Sequence, residues 1–459
     1  MVYSSLLFIY GFLPLSLLFF YVTPKKMREY TLLLLSVLFC GMISLYYLIF
    51  VSVYTVFNYI TGHLIGKFRK KERIVAVPLA FGIIIDLTSF FAFRTDYFSW
   101  IHKIVKAPEA FFPIGISFFT LSAIGMLIDI YKGRIKAEKN FLRYALYIMF
   151  FPKLIMGPLL RYGVSRKIMD NRRESLEGIG KGMTVFVRGL AKKVIIADNL
   201  YMLYNAALLT GVDEISAVTA WLGIVAYVFC LYFTLSGFAD MGMGIAYCFG
   251  IRLPHSFNYP LISTRIMHFA ARWQSQVVQW LRRYITKPIY GICPKRWTRE
   301  AVFLFGWALF GLWYTVSFNG IIWGIIIGTA IIIENRIIKD KILDFTGIIY
   351  TFLVILFGAV FLSGDSLLFS LKYLIAMIGG NGMIFDSQGF YLFKSYIALL
   401  LITVYASTNL FRNMLSRSRK SRLNSFVMTV SPFIVVFTLL VCTALISYNG
   451  SSEMLLIEL

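Results

Sequence analysis

Charged residues are scarce in this chain of 459 residues, because Asp, Glu, Lys and Arg together make up only 15% of it. A soluble domain usually has about a quarter of its residues charged. Hydrophobic residues make up 59%, and the mean hydropathy is +0.75. This balance excludes an ordinary soluble protein and predicts many membrane spans. Since backbone groups inside a bilayer must be hydrogen-bonded internally, the spans are expected to be helices.

Cysteine and histidine are also rare. None of the five cysteines belongs to a C-x-x-C pair, and four lie in or beside apolar segments, where a free thiol packs like a small hydrophobic group. The sequence therefore predicts neither a disulfide framework nor a zinc site. The spacing of the histidines offers no metal cluster, so no bound metal is expected. No other bound cofactor is expected either. The histidines are His63, His102, His255 and His268.

Acidic residues are about half as numerous as basic ones, 22 against 45, which gives a formal net charge of +23. The Lys and Arg residues lie in short loops between apolar runs, a pattern that favours the positive-inside rule over a nucleic-acid surface. No nucleic-acid partner is therefore expected. The basic loops at 25–28, 67–73 and 132–139 are predicted to be cytoplasmic, which places the amino terminus outside. A further basic loop at 412–422 is assigned to the cytoplasm by the same rule.

The apolar runs predict an all-α, polytopic integral membrane protein with about eleven spans of roughly 20 residues each. Tyr30–Ile65 is too long for one span, and a turn near Gly41 would make it a hairpin. Val75–Phe93 reads as a single span. The chain from 1 to 459 reads as one domain, with core motifs at 111–334 and the last helices at 343–447.

Two segments do not read as plain spans. Tyr144–Leu160 contains prolines and glycines, so a re-entrant or surface-lying segment is expected there. Gly178–Asn199 has basic residues on one face of a predicted helix and apolar residues on the other. We expect this amphipathic helix to lie in the membrane interface.

The rest of the chain reads as a frame for Pro254–Glu334, where polar and cationic residues lie between long apolar segments. Polar groups inside a membrane protein are costly unless they are paired or face water, so such clusters often mark a site. The tryptophans of this stretch are typical of packing and of interface anchors.

Several short motifs stand out along the chain. Within the stretch, 257–260 read F-N-Y-P, 269–274 read F-A-A-R-W-Q and 311–314 read G-L-W-Y. Elsewhere 111–118 read F-F-P-I-G-I-S-F, 151–162 read F-P-K-L-I-M-G-P-L-L-R-Y and 236–241 read S-G-F-A-D-M. These motifs resemble those of the membrane-bound O-acyltransferase family, and the likeness runs from residue 1 to about 334. The similar branch contains bacterial alginate O-acetyltransferases and the D-alanyl transfer protein of teichoic acids. The resemblance implies helices around a central tunnel, with re-entrant and interfacial helices beside the spans.

The chain departs from the family motifs at the positions that carry chemistry. The family reads F-W-R-R-W-H, R-D-Y and L-W-H-G in this stretch. Gln274 stands at the first histidine position, and Tyr314 stands at the second, which is usually taken as catalytic. Arg283 replaces the aspartate of R-D-Y.

The resemblance carries two sets of candidate site residues. The catalytic candidates are Tyr314, Gln274 and, as a substitute base, His268. The substrate-binding candidates are Asn258, Asp240, Arg272, Trp273, Arg282, Arg283, Trp313 and Asn319. A structural role is the alternative for the acids, since Asp240 could form an ion pair, for example with Arg272, and Asp129 could pair with the basic loop that follows it.

Acyl transfer to a hydroxyl needs a base for the hydroxyl proton and a donor for the developing oxyanion. A phenol has an ordinary pKa of about 10 and an amide does not titrate, so neither Tyr314 nor Gln274 replaces an imidazole as the base. His268 or His255 could be a relocated base, and the alternative is an ordinary polar residue near the interface.

Two functions remain open. The first is an O-acyltransferase that moves an acetyl-like group from a cytoplasmic thioester, on coenzyme A or a phosphopantetheine carrier, to a hydroxyl of a cell-envelope polysaccharide or polymer. The second is an inactive family member that acts as a scaffold, regulator or acyl or lipid conduit. The expected partners are membrane lipid and either an acyl carrier protein or proteins that export and modify envelope polymers. A transporter is disfavoured, because no internal repeat or charged pathway is visible.

Overall fold

The computed structural model of the protein describes residues 2–94, 113–293, 295–338, 344–364, 366–410 and 422–449. All regular secondary structure in these ranges is helical, which confirms the all-α prediction. Three predicted features lie wholly or partly outside the described residues: His102, the first two residues of the motif at 111–118, and most of the basic loop at 412–422.

The helices follow one another closely along the chain. In order they are α1 Leu13–Val22, α2 Arg28–Ile43, α3 Leu45–Phe68, α4 Glu72–Ala92, α5 Ile116–Tyr131, α6 Phe141–Met149, α7 Phe151–Leu154, α8 Tyr162–Asp170, α9 Leu176–Ala191, α10 Asp198–Ala207, α11 Ala217–Cys248, α12 Ile266–Arg272, α13 Ser275–Leu281, α14 Lys287–Tyr290, α15 Arg296–Thr315, α16 Phe318–Ile333, α17 Asp344–Ser363, α18 Leu367–Met377, α19 Ser387–Ala406 and α20 Arg422–Asn449. Short π-helical or 3-10 turns lie at Leu7–Phe12, Lys192–Ala197, Pro260–Ile262, Arg282–Thr286 and Glu334–Ile338.

Seven of the described helical segments are long and apolar enough to cross a membrane. They are Leu45–Phe68, Arg73–Ala92, Ala217–Cys248, Phe318–Ile337, Phe345–Ser363, Ser387–Ala406 and Thr429–Tyr448. Three shorter apolar helices lie at Leu7–Val22, Ile116–Tyr131 and Leu367–Met377. The protein is therefore a multi-pass membrane protein, as predicted. The total of about eleven spans and the central tunnel stay predictions.

The chain divides into two compact units. The first contains Met1–Val187 and Phe238–His255, and the second contains Arg188–Gly237 and Ser256–Leu445. Helix α11 contributes its first part to the second unit and its last part to the first. The reading of 1–459 as a single domain stays a prediction.

The predicted hairpin is present in the first unit. Helix α2 ends at Ile43 and α3 begins at Leu45, so one residue separates them. That residue is Ser44, with an extended backbone at φ −167° and ψ 147°. The turn lies three residues beyond the predicted Gly41.

The segment 144–160 is broken, as its prolines and glycines predict. It contains the end of α6 and the four-residue α7, separated by Phe150, which has a non-helical ψ of 103°. Every residue from 144 to 160 is buried, so the segment does not lie on the surface. The surrounding protein therefore covers the irregular backbone at Phe150.

Two glycines, one in the motif at 111–118 and one directly after the motif at 236–241, pack against α7. A Cβ atom on Gly115 would overlap the carbonyl oxygen of Leu154, and one on Gly242 would overlap that of Pro152. Gly115 also has φ +79°, where a side chain would be strained. These two glycines therefore let the helices α5 and α11 approach the buried segment closely.

The K-K-x-x-x-A-D sequence at 192–198 forms a buried ion pair in the second unit. It follows α9, the amphipathic helix, in a π-helical turn. Lys193 is buried, and its ammonium group pairs with the Asp198 carboxylate. One of the basic residues assigned to the polar face thus lies inside the protein. The interfacial position of the helix stays a prediction.

Lys153 of α7 is buried, and no carboxylate among the residues that the structure describes pairs with it. Its Nζ atom lies 3.9 Å from the centroid of the Tyr147 ring and has no hydrogen-bond partner among the described residues. The residue lies outside the seven candidate spans. Burial lowers the pKa of Lys153 to about 7, from an ordinary value of about 10.4.

We expect Lys153→Met to raise stability, and to raise it most at low pH. The unfolded chain keeps a proton on Lys153 that the folded chain releases, so wild-type stability increases with pH between about 7 and about 10.4. The advantage of Met should be greatest below about pH 7 and should shrink as the pH rises through that window. Melting temperatures of the detergent-solubilised proteins at pH 6, 8 and 9.5 measure this.

The matched control is Lys181→Met, which removes an exposed lysine that pairs with Glu177. This change should shift the melting temperature little at every pH. An advantage of Lys153→Met that does not vary with pH would contradict the prediction.

Candidate functional site

The second half of the Pro254–Glu334 stretch is a helical hairpin of α15 and α16 in the second unit. Four glycines bring the two helices together. A Cβ atom on Gly311 would overlap the backbone of Gly320, and one on Gly324 would overlap that of Trp307. Helix backbones in membrane proteins approach closely through such small residues. The glycines are Gly311, Gly320, Gly324 and Gly328.

Tyr314 lies at the carboxyl end of α15, just before the turn of the hairpin. The helix ends at Thr315, because Val316 takes a left-handed backbone with φ 50°. The turn is closed by Ser317, whose Oγ accepts from the Gly320 N–H at 3.1 Å. Tyr314 is only 3% exposed, so its phenol lies inside the unit.

The Tyr314 ring packs in an aromatic group. Its centroid lies 5.4 Å from that of Trp323, 6.1 Å from that of Phe310 and 6.2 Å from that of Trp313. Phe310 and Trp313 are stacked, with centroids 5.9 Å apart. The predicted residues Trp313 and Tyr314 are therefore held together by ring packing within α15 and against α16.

Asn319 at the start of α16 is used by the protein itself. Its Nδ2 donates to the Gly364 carbonyl oxygen at 2.8 Å and to the Ser370 Oγ at 3.3 Å. These bonds attach α16 to the segment between α17 and α18, so the amide group of this binding candidate has a structural role.

Gln274 lies between α12 and α13 in a left-handed conformation with φ 41° and ψ 49°. It is 5% exposed, and its Oε1 has no hydrogen-bond partner among the described residues. The same holds for the indole Nε1 of the neighbouring Trp273. A buried acceptor and a buried donor thus lie on adjacent residues, and such atoms normally have a partner in the protein, in water or in a ligand.

The loop at 256–258 is bound to this corner by backbone hydrogen bonds. The Asn258 N–H donates to the Arg272 carbonyl oxygen at 3.1 Å, and the Ser275 N–H donates to that of Ser256 at 3.0 Å. The Trp273 ring also contacts that of Phe257, with centroids 5.4 Å apart. The structure therefore brings Asn258, Arg272 and Trp273 together with Gln274, although the Asn258 side chain is exposed.

Glu334 connects the far end of α16 to the start of α12. Its Oε1 accepts from the Ile266 N–H at 2.8 Å, and its Oε2 accepts from the Met267 N–H at 3.3 Å. The Nε of Arg265 lies 3.6 Å from the same Oε2. A fully buried carboxylate thus caps the amino end of the helix that leads to Gln274.

The remaining candidates occupy different environments. Arg272 and Arg283 are half-buried, with the Arg283 guanidinium 5.7 Å from the centroid of the Tyr284 ring, and Arg282 is exposed. His268 is exposed, so it is not enclosed as a buried base would be. Asp240 is buried on α11 and belongs to the first unit.

Comparison with known proteins identifies the family. The profile of the membrane-bound O-acyltransferase family matches residues 130–339. A protein of Azotobacter vinelandii described as probable alginate O-acetylase AlgI is 30% identical over 443 residues, which cover 92% of this chain and 88% of that protein. The chain belongs to the membrane-bound O-acyltransferase family.

Other relatives of this O-acyltransferase-family chain carry different names. The peptidoglycan O-acetyltransferase of Helicobacter pylori is 28% identical, over 83% of this chain and 81% of that protein. The teichoic acid D-alanyltransferase of Bacillus subtilis is 25% identical, over 70% of this chain and 85% of that protein.

The structure confirms one expected pairing and adds a polar pair that the sequence analysis missed. Asp129 pairs with Arg134 of the following loop at 2.9 Å, as expected. In the first unit the Asn58 Nδ2 donates to the Asp86 Oδ1 at 2.8 Å, and both residues are buried. A lone acid inside the apolar run 75–93 is the signal that could have marked Asp86.

We expect Glu334→Gln to destabilise the second unit of this O-acyltransferase-family chain. The substitution keeps the shape, but it replaces a charged acceptor by an amide beside two backbone N–H groups and Arg265. Hydrogen bonds to a charged group contribute about 1.5–3 kcal/mol each. The melting temperature should fall, and the rate of tryptic cleavage at Arg265 and Arg272 should rise as α12 loosens. These two quantities are the measurements.

The matched control is Glu300→Gln on α15, whose carboxylate pairs with Arg336 near the surface. It should change neither the melting temperature nor the cleavage pattern appreciably. Equal effects of the two substitutions would contradict a specific role of the Glu334 cap.

Proposed function

We propose that this protein transfers a small, acetyl-like acyl group to a hydroxyl of a cell-envelope polysaccharide or polymer. Family membership supports acyl transfer, and the relatives named above are an alginate O-acetylase, a peptidoglycan O-acetyltransferase and a teichoic acid D-alanyltransferase. The observation that carries the proposal is the buried corner at Trp273 and Gln274. There a donor and an acceptor lie inside the protein without a partner among the described residues.

The donor in this proposal is a cytoplasmic thioester on coenzyme A or on a phosphopantetheine carrier protein. The acceptor oxygen forms a bond to the thioester carbonyl carbon, the carbon–sulfur bond breaks, and the hydroxyl proton ends on the released thiol. The partners are then an acyl carrier protein, or proteins that export and modify the polymer, within a lipid membrane. The amino terminus faces outside in this arrangement, which labelling of single-cysteine variants in intact cells would test.

Each candidate residue has a role that its chemistry allows. The Tyr314 hydroxyl donates to the thioester oxygen as negative charge develops on it. The Gln274 Oε1 accepts from the acceptor hydroxyl, and the Trp273 N–H and Arg272 bind polar groups beside it. Neither Gln274 nor Tyr314 removes a proton readily near pH 7, so the reaction lacks a contribution of about 10²–10⁴ in rate that a general base supplies.

Other candidates stay farther from the chemistry in this proposal. Arg282 and Arg283 would attract the anionic groups of donor or acceptor, and Trp313 would hold the Tyr314 ring in place. Asp240 and His268 remain predictions for binding and for a relocated base, respectively. Because His268 is exposed, it would act as a proton acceptor only when bound substrate covers it.

A second candidate function is supported by the same two positions. The protein would keep the family fold without catalysis and act as a scaffold, a regulator or a conduit for acyl groups or lipids. Its support is that Gln274 and Tyr314 replace both motif histidines, while the glycine contacts of the hairpin and the Glu334 cap keep the surrounding frame closely packed.

The test is the ester-linked acyl content of the cell envelope with and without the gene. Mild alkali releases ester-linked acids, which mass spectrometry identifies. We expect one acid to disappear on deletion, to return with the wild-type gene, and to fall by about tenfold or more with Tyr314→Phe, because one oxyanion donor is lost. The combined change Gln274→His and Tyr314→His should raise the ester content, because it adds imidazoles at both family positions.

The controls separate the two functions. Tyr201→Phe on α10 removes a hydroxyl away from the stretch and should restore the ester fully. Restoration by Tyr314→Phe, with loss in His268→Gln, would move the chemistry to His268. Full restoration by both variants would favour the non-catalytic function, and an unchanged envelope on deletion would overturn envelope acylation.

A further inference from the structure

A cavity of about 290 Å³ lies in the first unit where α3 ends and the segment after α5 begins. Its polar lining comes from the last turn of α3, from Arg69 just beyond it, and from residues 136 and 139. The lining contains His63, Lys67, Arg69, Lys136 and Lys139. Neither the family motifs nor the proposed reaction uses this cavity.

The lining carries four formal positive charges and no carboxylate. Within the described part of the chain, none of these four cations forms an ion pair. Two acids on the segment around residues 136 and 139 are engaged elsewhere, since Asp129 pairs with Arg134, and Glu138 accepts from the Tyr162 hydroxyl and from the Asn140 N–H. All four side chains are exposed, so water and salt screen their mutual repulsion, and an anion between them would be attracted by all four charges.

Specific contacts fix the shape of the cavity. The Tyr59 hydroxyl donates to the Lys139 carbonyl oxygen at 2.7 Å, and its ring lies 4.4 Å from that of His63. Gly133 has φ +67°, and a Cβ atom there would overlap the Arg69 guanidinium. The segment after α5 is therefore attached to α3, and Arg69 is packed against its backbone.

The arrangement fits a phosphoryl group. A guanidinium and several ammonium groups recognise phosphate oxygens through short, charge-assisted hydrogen bonds. The cavity opens at the end of a candidate membrane span, and the same helix exposes apolar side chains one and two turns earlier, Leu64 at 40% and Ile60 at 52%. Acyl chains can lie along that face while the phosphate enters the cavity, as at other basic pockets between membrane helices.

We propose that this cavity is a binding site for the phosphate of an anionic phospholipid headgroup. The proposal does not depend on acyl transfer. The same lining chemistry could accept a soluble phosphate, so the test compares the two sources.

The experiment uses the full chain purified in detergent, with lipid retention measured by native mass spectrometry. Phosphatidylglycerol and phosphatidylcholine are the lipid probes, and inorganic phosphate is the soluble probe. Lys67→Gln with Lys136→Gln removes two lining charges, and we expect phosphatidylglycerol binding to weaken by about tenfold or more. The matched control is Lys70→Gln with Lys71→Gln, which removes two exposed charges outside the lining and should change binding by less than about twofold.

The outcomes are distinct. Selective loss of phosphatidylglycerol in the lining variant alone supports the site. Equal loss in both variants would show general attraction to a basic surface and would overturn it. Binding of inorganic phosphate as tight as that of the lipid, lost in the same variant, would overturn the lipid as the source. All four substituted lysines are exposed, so the variants should fold, and their melting temperatures verify this. If the double lining variant does not fold, each single lining substitution is tested instead, and each should weaken phosphatidylglycerol binding by about fivefold.

Discussion

Seven segments of this protein are long and apolar enough to cross a membrane, where a polar group has no water to bond and needs a partner within the protein. The few buried charged and amide side chains inside the units accordingly form hydrogen bonds that connect helices. The Glu334 carboxylate connects the end of α16 to the start of α12, and Asn319 connects α16 to the segment before α18. The same rule makes Lys193 pair with Asp198 inside the turn between α9 and α10. Where the described residues supply no such partner, as for the Trp273 Nε1 and the Gln274 Oε1, a ligand or water is the natural completion.

Glycine provides the second means of holding the helices. Lipid removes most of the hydrophobic drive between helices, so close van der Waals packing of backbones takes its place. The contacts of Gly311 and Gly324 in the α15–α16 hairpin, and of Gly115 and Gly242 against α7, are of this kind. They explain why motif segments pack tightly in each unit although few charged groups are available to join them.

The sequence predicts the helical class, the multi-pass membrane character and the α2–α3 hairpin, because these follow from long apolar runs and one interruption. It also predicts the break in 144–160, since proline and glycine disrupt a regular helix. It does not predict that this segment is buried throughout, or that Asn319 is used in the fold, because both depend on contacts between residues far apart in sequence. The Asp86–Asn58 pair was missed for a related reason, since an acid in an apolar run shows its partner only after folding. The family resemblance marks the site positions, whereas the roles of the side chains there stay predictions.

Gln274 has an unusual backbone conformation for a residue that is not glycine. A left-handed conformation costs a residue with a Cβ atom on the order of 1–3 kcal/mol, and Gln274 gains no side-chain capping bond to α13 in return. Strain of this kind persists where the surroundings fix it, and it is frequent at ligand sites. The same backbone conformation could position either a glutamine that binds a ligand or a histidine that transfers a proton. In the proposed reaction, the amide at 274 and the phenol at 314 can hydrogen-bond to a ligand but exchange no proton readily near pH 7. The departure from the family motifs therefore lies in these two side chains.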